Sequence, residues 1–208
     1  MLPEISLNIL DVAQNSISAG AALTEISVDI DTASDSIAVI IKDNGCGMNE
    51  EQLKAVTDPF YTTRKTRKVG LGVPFFKMAA EITGGSFEIS SAVGKGTTVK
   101  AVFGLSHIDR MPLGDMTFTI HSLITLNSDI DFLYRYSVDG MGFTLDTREF
   151  KEILGIDEGE CTPDGRFSLD ACRCIGACGL APVMTINDDV YGKLTVDQLE
   201  GILAKYAD

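Results

Sequence analysis

The sequence predicts an α+β fold, with helices on one side of a mostly antiparallel sheet, followed by a smaller α/β unit of different chemistry. Three observations predict it. Apolar residues recur at helical spacing near the start, and pairs of short strand-like runs flank polar turns further on. Of the five cysteines, four fall between positions 161 and 178, so the two ends of the chain carry different chemistry.

The elements follow in order. Ile5, Ile9, Val12, Ala13 and Ile17 place an amphipathic helix over residues 5–18, ended by Ala19-Gly20-Ala21. Residues 25–30 and 36–42 read as two strands joined by a polar turn at 31–35, and Asp43-Asn44-Gly45-Cys46-Gly47 breaks the second. A helix at about 50–56 leads into a Thr/Arg/Lys-rich loop at 61–69, then Gly70-Leu71-Gly72 and a helix over 73–83. Strands at 86–91 and 97–103 flank the turn Val93-Gly94-Lys95-Gly96. Residues 107–116 read as a connector with an exposed turn at 112–114, and the apolar stretch 117–126 fits helix or strand. Strands at 132–138 and 142–146 surround Asp139-Gly140, before a helix at 147–154. The expected division is a first domain at 1–106, a structural connector at 107–141 and a C-terminal domain at 142–208.

Composition narrows the function classes. With 45% hydrophobic residues among 208, the chain can bury one good core or two small ones. There is no run of about 18 apolar residues, and Met1-Leu2-Pro3-Glu4 lacks the basic and apolar regions of a signal peptide, so a cytoplasmic protein with no membrane partner is expected. A net charge of -13 repels a phosphate backbone and argues against nucleic acid. The one basic cluster, Arg64-Lys65-Thr66-Arg67-Lys68, suits a nucleotide's phosphates or a solvated loop.

Four successive points along the chain carry a resemblance. Residues 11–21, Asp43-Asn44-Gly45-Cys46-Gly47-Met48, Asp58-Pro59-Phe60-Tyr61-Thr62-Thr63-Arg64 and Val69-Gly70-Leu71-Gly72-Val73-Pro74 resemble the successive boxes of the GHKL ATPases. This is the group of gyrase, Hsp90, histidine kinases and MutL. Residues 94–98 resemble its last box, and the likeness covers about 1–105. It implies an α/β sandwich that binds ATP or ADP with Mg²⁺. Asn15 then ligates the metal through its amide oxygen, a hard donor for a hard cation. Asp43 reads the adenine amino group, with Gly45 and Gly47 letting the backbone approach the base. Phe60 falls at the start of the lid, while Gly70, Leu71 and Gly72 offer backbone N–H groups to phosphate before a helix. Lys65, Arg67 or Lys68 add charge there. Thr97 or Thr98 reaches the adenine side through water.

Asp11 lies one helical turn before Asn15, where hydrolysing relatives of that group usually carry a glutamate as base. It is one methylene shorter, and hydrolysis, phosphate transfer to serine or threonine, and simple nucleotide sensing all stay open. His107 and His121 do not stand in the context of a phosphoacceptor.

A second resemblance runs from about Gly155 to Tyr206. Residues 162–169, Cys174-Ile175-Gly176-Ala177-Cys178-Gly179-Leu180-Ala181-Pro182-Val183 and residues 186–195 are similar to the thioredoxin-like [2Fe-2S] subunit of NADH dehydrogenases and NAD-linked hydrogenases. The resemblance implies that Cys174 and Cys178 supply two cluster ligands. Where the family's earlier C-x₄-C pair belongs, this chain reads Phe143-Thr144-Leu145-Asp146-Thr147-Arg148. Three outcomes stay open. Cys161 and Cys172 substitute as ligands, a partner supplies thiolates, or the cluster is lost and the unit serves for docking. Spacing of the late cysteines does not match a zinc knuckle. The expected function is thus an ATP-binding accessory protein of an NAD-linked redox complex, with a kinase or slow ATPase and an electron-transfer subunit as alternatives. Subunits of such a complex are the expected partners, and homodimerisation stays open.

Overall fold

A computed structural model describes residues 3–56, 72–127, 129–149, 155–156, 159–163, 165, 167–168, 183–194 and 196–206. Helix α1 (Ile5–Ser18) takes the apolar stripe read in the sequence and buries Ile5, Ile9, Val12 and Ala13. Its first turn has no side-chain cap. Instead the Ile5 and Ser6 N–H groups donate to the Pro112 and Leu113 carbonyls, so the later connector closes the helix start. Strands β1 (Leu23–Asp31) and β2 (Ser36–Asp43) pair antiparallel and alternate buried with half-buried positions, as a strand with one covered face does. In α2 (Glu50–Val56) Asn49 and Gln52 bond each other's backbone N–H reciprocally, a capping box. Helix α3 (Gly72–Glu81) buries Val73, Phe76, Ala79 and Ala80, and β3 (Ser86–Ala92) and β4 (Gly96–Gly104) form the next hairpin.

The region expected to be a connector is part of the first fold. The stretch left open between helix and strand is α4 (Met116–Leu126), capped by Asp115, whose carboxylate accepts from the Phe118 N–H. Strand β5 (Asp131–Val138) then runs parallel to β1, and β6 (Met141–Asp146) pairs antiparallel with β5. The sheet order is β3-β4-β2-β1-β5-β6, with one parallel ladder among antiparallel ones. Strand β6, assigned from sequence to the C-terminal unit, is therefore hydrogen-bonded into the first sheet. The physical reason is β1: its edge would otherwise present a row of unpaired backbone groups, and β5 satisfies them.

Helices α1, α3 and α4 cover one face of this sheet. Phe76 of α3 sits 5.6 Å from the Phe103 ring of β4 and meets Phe87 edge-on, and Ile26, Val28, Ile37, Val39 and Ile41 complete the core. The opposite face carries Glu25, paired with Lys42 at 2.6 Å and Arg135 at 3.7 Å. In the C-terminal part, β7 (Val183–Ile186) and β8 (Asp189–Gly192) form a hairpin, followed by α5 (Val196–Leu203) and a 3₁₀ turn at Ala204–Tyr206. Leu194, Leu199 and Ile202 are buried there, and the Tyr191 and Tyr206 hydroxyls bond each other at 2.7 Å. No helix among the described residues is long and apolar enough to cross a membrane.

Candidate nucleotide-binding site

The site grows from the end of β2. Asp43 is the last residue of that strand and is 8% exposed, an unusual place for a carboxylate. Three donors hold it. Its Oδ1 accepts from the Gly45 N–H at 2.9 Å and the Thr97 N–H at 3.2 Å, and its Oδ2 accepts from Ser16 Oγ at 2.9 Å. A carboxylate accepts about four hydrogen bonds, so one direction is left for a donor from outside. The elements that meet here are the C-terminal half of α1, the loop after β2 and the start of β4.

That loop is fitted to its neighbours by missing side chains. Gly47 has a φ of 65°, and a Cβ there would lie 2.7 Å from the carbonyl carbon of Ala92. Gly96 has a φ of 85°, and its Cβ would lie 2.7 Å from the carbonyl carbon of Asp43. Both conformations are costly for any residue but glycine. The backbone of Cys46 is tied on both sides, its N–H to the Ala19 carbonyl at 2.9 Å and its carbonyl to the Gly94 N–H at 2.8 Å. Its thiol is exposed and free. Ser91 Oγ links the two loops, accepting from the Met48 N–H and lying 2.9 Å from Thr97 Oγ1. Thr98 is half-buried on the neighbouring position of β4. Asn44 turns away from the carboxylate, and its Oδ1 accepts from the Ala22 and Leu23 N–H groups at 2.8 and 2.9 Å.

Asp11 and Asn15 are exposed, one turn apart on α1. Helix α3 begins directly against Asp11. A Cβ on Gly72 would lie 2.8 Å from Asp11 Cγ, so any larger residue there displaces the exposed Asp11 side chain from its present position. The sequence-predicted residues Phe60, Lys65, Arg67, Gly70 and Leu71 lie outside the described residues, as do Cys172, Cys174 and Cys178. Cys161 is exposed with a free thiol, and its backbone forms an isolated bridge with Ser168.

Two site residues escaped the sequence reading. Ser16 holds Asp43 from α1, and its signal was a polar residue standing on the buried stripe of Ile5, Ile9, Val12 and Ala13. Thr24, fully buried on β1, sits across the ladder from Asp43. Its signal was a lone hydroxyl at the head of an otherwise aliphatic row.

The donor set fits a nucleotide base: a buried acceptor with one open direction, bounded by side-chain-free backbone at Gly47 and Gly96. For an iron–sulfur cluster, residues 143–148 do not fit. Phe143 packs on the Tyr134 and Tyr136 rings at 5.7 and 6.0 Å. Thr147 Oγ1 accepts from the Phe132 N–H at 3.0 Å, and Asp146 binds Arg148 through both oxygens at 2.9 and 2.6 Å. None of the six offers a thiolate.

Comparison with known proteins divides the chain as its chemistry does. Residues 142–207 match the thioredoxin-like [2Fe-2S] ferredoxin family. The NADP-reducing hydrogenase subunit HndA of Solidesulfovibrio fructosivorans is 54% identical over 57 residues, 27% of this chain and 33% of that protein. A protein of Shewanella frigidimarina whose name describes it as a sensor is 34% identical over 109 residues, 52% of this chain and 16% of that protein. The chain thus spans a third or less of either relative's own length. Among solved structures, the N-terminal domain of a DNA repair protein superposes with a TM-score of 0.49 at 16% identity, covering 70% of this chain and 52% of that one. Residues 3–107, just over half of the chain and the whole setting of Asp43, match the histidine kinase-, DNA gyrase B- and HSP90-like ATPases, and this chain belongs to that family.

Proposed function

We propose that the chain is a nucleotide-responsive accessory component of an NAD-linked redox assembly of the hydrogenase or NADH dehydrogenase kind. ATP or ADP bound at Asp43 alters how the C-terminal segment docks on that assembly. In this reading residues 1–106 form the nucleotide-binding unit and 142–208 the docking unit, with 107–141 joining them through α4 and β5. Asn15 would hold Mg²⁺ through its amide oxygen, and Lys65, Arg67 and the Gly70-Leu71-Gly72 backbone would meet the phosphates.

One observation carries the proposal. A continuous set of hydrogen bonds leads from the base loop to the start of the C-terminal segment. Asn44, next to Asp43, holds the Ala22 and Leu23 N–H groups, and the Ala22 carbonyl accepts from the Asp131 N–H at 3.0 Å. On β5 the next N–H, that of Phe132, donates to Thr147 Oγ1, which itself lies 3.3 Å from Asp131 Oδ1. Thr147 adjoins the Asp146–Arg148 pair, inside the stretch where the match to the [2Fe-2S] ferredoxin family begins. A nucleotide acts through such a path only if it binds the two arrangements unequally.

The test is the affinity of the full chain for purified NADH- or NADPH-oxidising subunits, with and without ADP. A several-fold change that disappears in Asn44→Ala, with ADP binding kept, is expected. Equal affinity with and without ADP would remove the proposal. A second reading, a slow ATPase or serine/threonine kinase, is favoured by the Asp11 carboxylate against the start of α3, where it could act as a weak base. Labelled phosphate release or transfer abolished by Asp11→Asn, with ADP binding retained, would support that reading. Equal turnover in the variant would eliminate it.

A further inference from the structure

Beside the carboxylate of Asp43 lies a hydroxyl that no atom of the described residues uses. Thr24 is fully buried, and its Oγ1 has no hydrogen-bond partner among the described residues. It pairs with Asp43 across the β1–β2 ladder, so the two side chains stand as neighbours on one face of the sheet. The core-facing positions that follow on β1 are Ile26 and Val28, and valine would fill position 24 as well as threonine does. Leaving a buried hydroxyl without a partner is costlier than having a methyl group there. The hydroxyl therefore points to a partner that is not a protein atom.

The neighbourhood says what that partner is. Ser16 Oγ donates to Asp43 Oδ2, the oxygen with acceptor capacity to spare, while Oδ1 already takes two backbone N–H groups. An internal water is stable when two to four polar groups surround it, and one that bonds Thr24 Oγ1 and donates to Ser16 Oγ leaves the Ser16 proton on Asp43 Oδ2 and the carboxylate's one open direction to the base. We propose that Thr24 is a positioning residue for Asp43, its hydroxyl holding an internal water on Ser16 Oγ that fixes the Ser16–Asp43 bond and with it the Oδ2 edge of the carboxylate toward the base. The inference rests on Asp43 being the group that reads adenine. Thr24 does not touch the nucleotide. Its effect is confined to the contact with the exocyclic amine, because the water constrains one rotamer of one carboxylate.

The experiment titrates the full chain with ADP and with IDP, whose base carries an oxo group in place of that amine, and follows thermal melting of each protein. Wild type is expected to prefer ADP. Thr24→Val should melt at or above the wild-type temperature, bind ADP about 3- to 10-fold more weakly and bind IDP unchanged, and Thr24→Ser should restore ADP binding. Thr24→Val with wild-type ADP affinity overturns the proposal. So does an equal loss of ADP and IDP binding with a lowered melting temperature, which marks a purely structural role. If wild type binds ADP no better than IDP, the reading of Asp43 fails first and the role of Thr24 falls with it.

Discussion

Asp43→Asn changes the group that would read the base and little else. An asparagine oxygen in the place of Oδ1 keeps the Gly45 and Thr97 N–H bonds at 2.9 and 3.2 Å. The new amide NH₂ in the place of Oδ2 donates to Ser16 once that hydroxyl rotates its proton away. The fold then loses the difference between charge-assisted and neutral bonds, on the order of 1–3 kcal/mol, and should still melt cooperatively. For the ligand the change is larger. The open acceptor becomes a donor facing the donor amine of adenine, which removes a charged hydrogen bond and sets two N–H groups against each other. A loss of about 3 kcal/mol, or roughly 100-fold in ADP affinity, is expected. Calorimetric titration with ADP at fixed Mg²⁺ measures it, and circular dichroism melting controls for the fold. A folded Asp43→Asn protein that keeps ADP affinity within about threefold of wild type would refute the assignment of Asp43 to the base.

Three further perturbations follow from distances given above. Gly72→Ala places a Cβ 2.8 Å from Asp11 Cγ, so the exposed Asp11 side chain must leave its present rotamer, with a loss of about 0.5–1.5 kcal/mol in stability. Asp11→Ala should relieve part of that loss in the double variant, and strictly additive melting shifts would show that the two residues do not meet. The Arg148 guanidinium, bonded to both Asp146 oxygens, holds the Asp146 carboxyl below its usual 3.8. That stabilisation is present in full above the unfolded carboxyl's range near pH 4 and is lost as pH falls through the lowered folded value. Asp146→Asn should therefore cost about 1 kcal/mol at pH 7, discounted for the half-exposed guanidinium, and the gap to wild type should close toward pH 2, as read by urea unfolding. A gap independent of pH would contradict the ion pair. Because residues 143–148 offer no thiolate, the isolated full chain reconstituted with iron and sulfide should show no [2Fe-2S] visible spectrum. A full cluster per chain would mean that Cys161 and Cys172 complete the set with Cys174 and Cys178.

Most of the first fold was legible because its signals are local. The helical stripe of α1, the strand pairs about Asp31–Asp35-type turns and the glycines after Asp43 each speak through neighbours in sequence. Two features were not. Residues 117–126 mix Thr119, Ile120, Ile124 and Thr125 with Phe118 and Leu123, a composition that suits either period, and the deciding signal was outside the stretch, in the Asp115 cap. Pairing of β5 with β1 is a contact between elements about a hundred residues apart, and nothing in either strand's pattern names its partner. At residue 142 two signals diverge for the same reason: the second family match starts there, while the hydrogen bonds of β6 go back to the first sheet. At the site, Asp43 stood out through its glycines. Ser16 and Thr24 did not, because a buried hydroxyl acquires meaning only once its neighbour across the fold is known.

The position of Asp11 bears on whether a nucleotide here is consumed or sensed. A helix start favours negative charge, through its free N–H groups and its dipole. In this fold the first residue of α3, a glycine, already packs against a carboxylate. A phosphate arriving at the same helix start would meet Asp11 as a like charge unless a cation stands between them, and in the proposed reading Asn15, one turn along α1, would hold one. Nucleotide binding would then depend on Mg²⁺ more steeply than the contacts to the base alone require. The dependence separates the two readings: for a sensor, Asp11→Asn should bind ADP more tightly in the absence of Mg²⁺ and lose little in its presence. For an ATPase or kinase the same substitution should abolish phosphate release or transfer whatever it does to affinity.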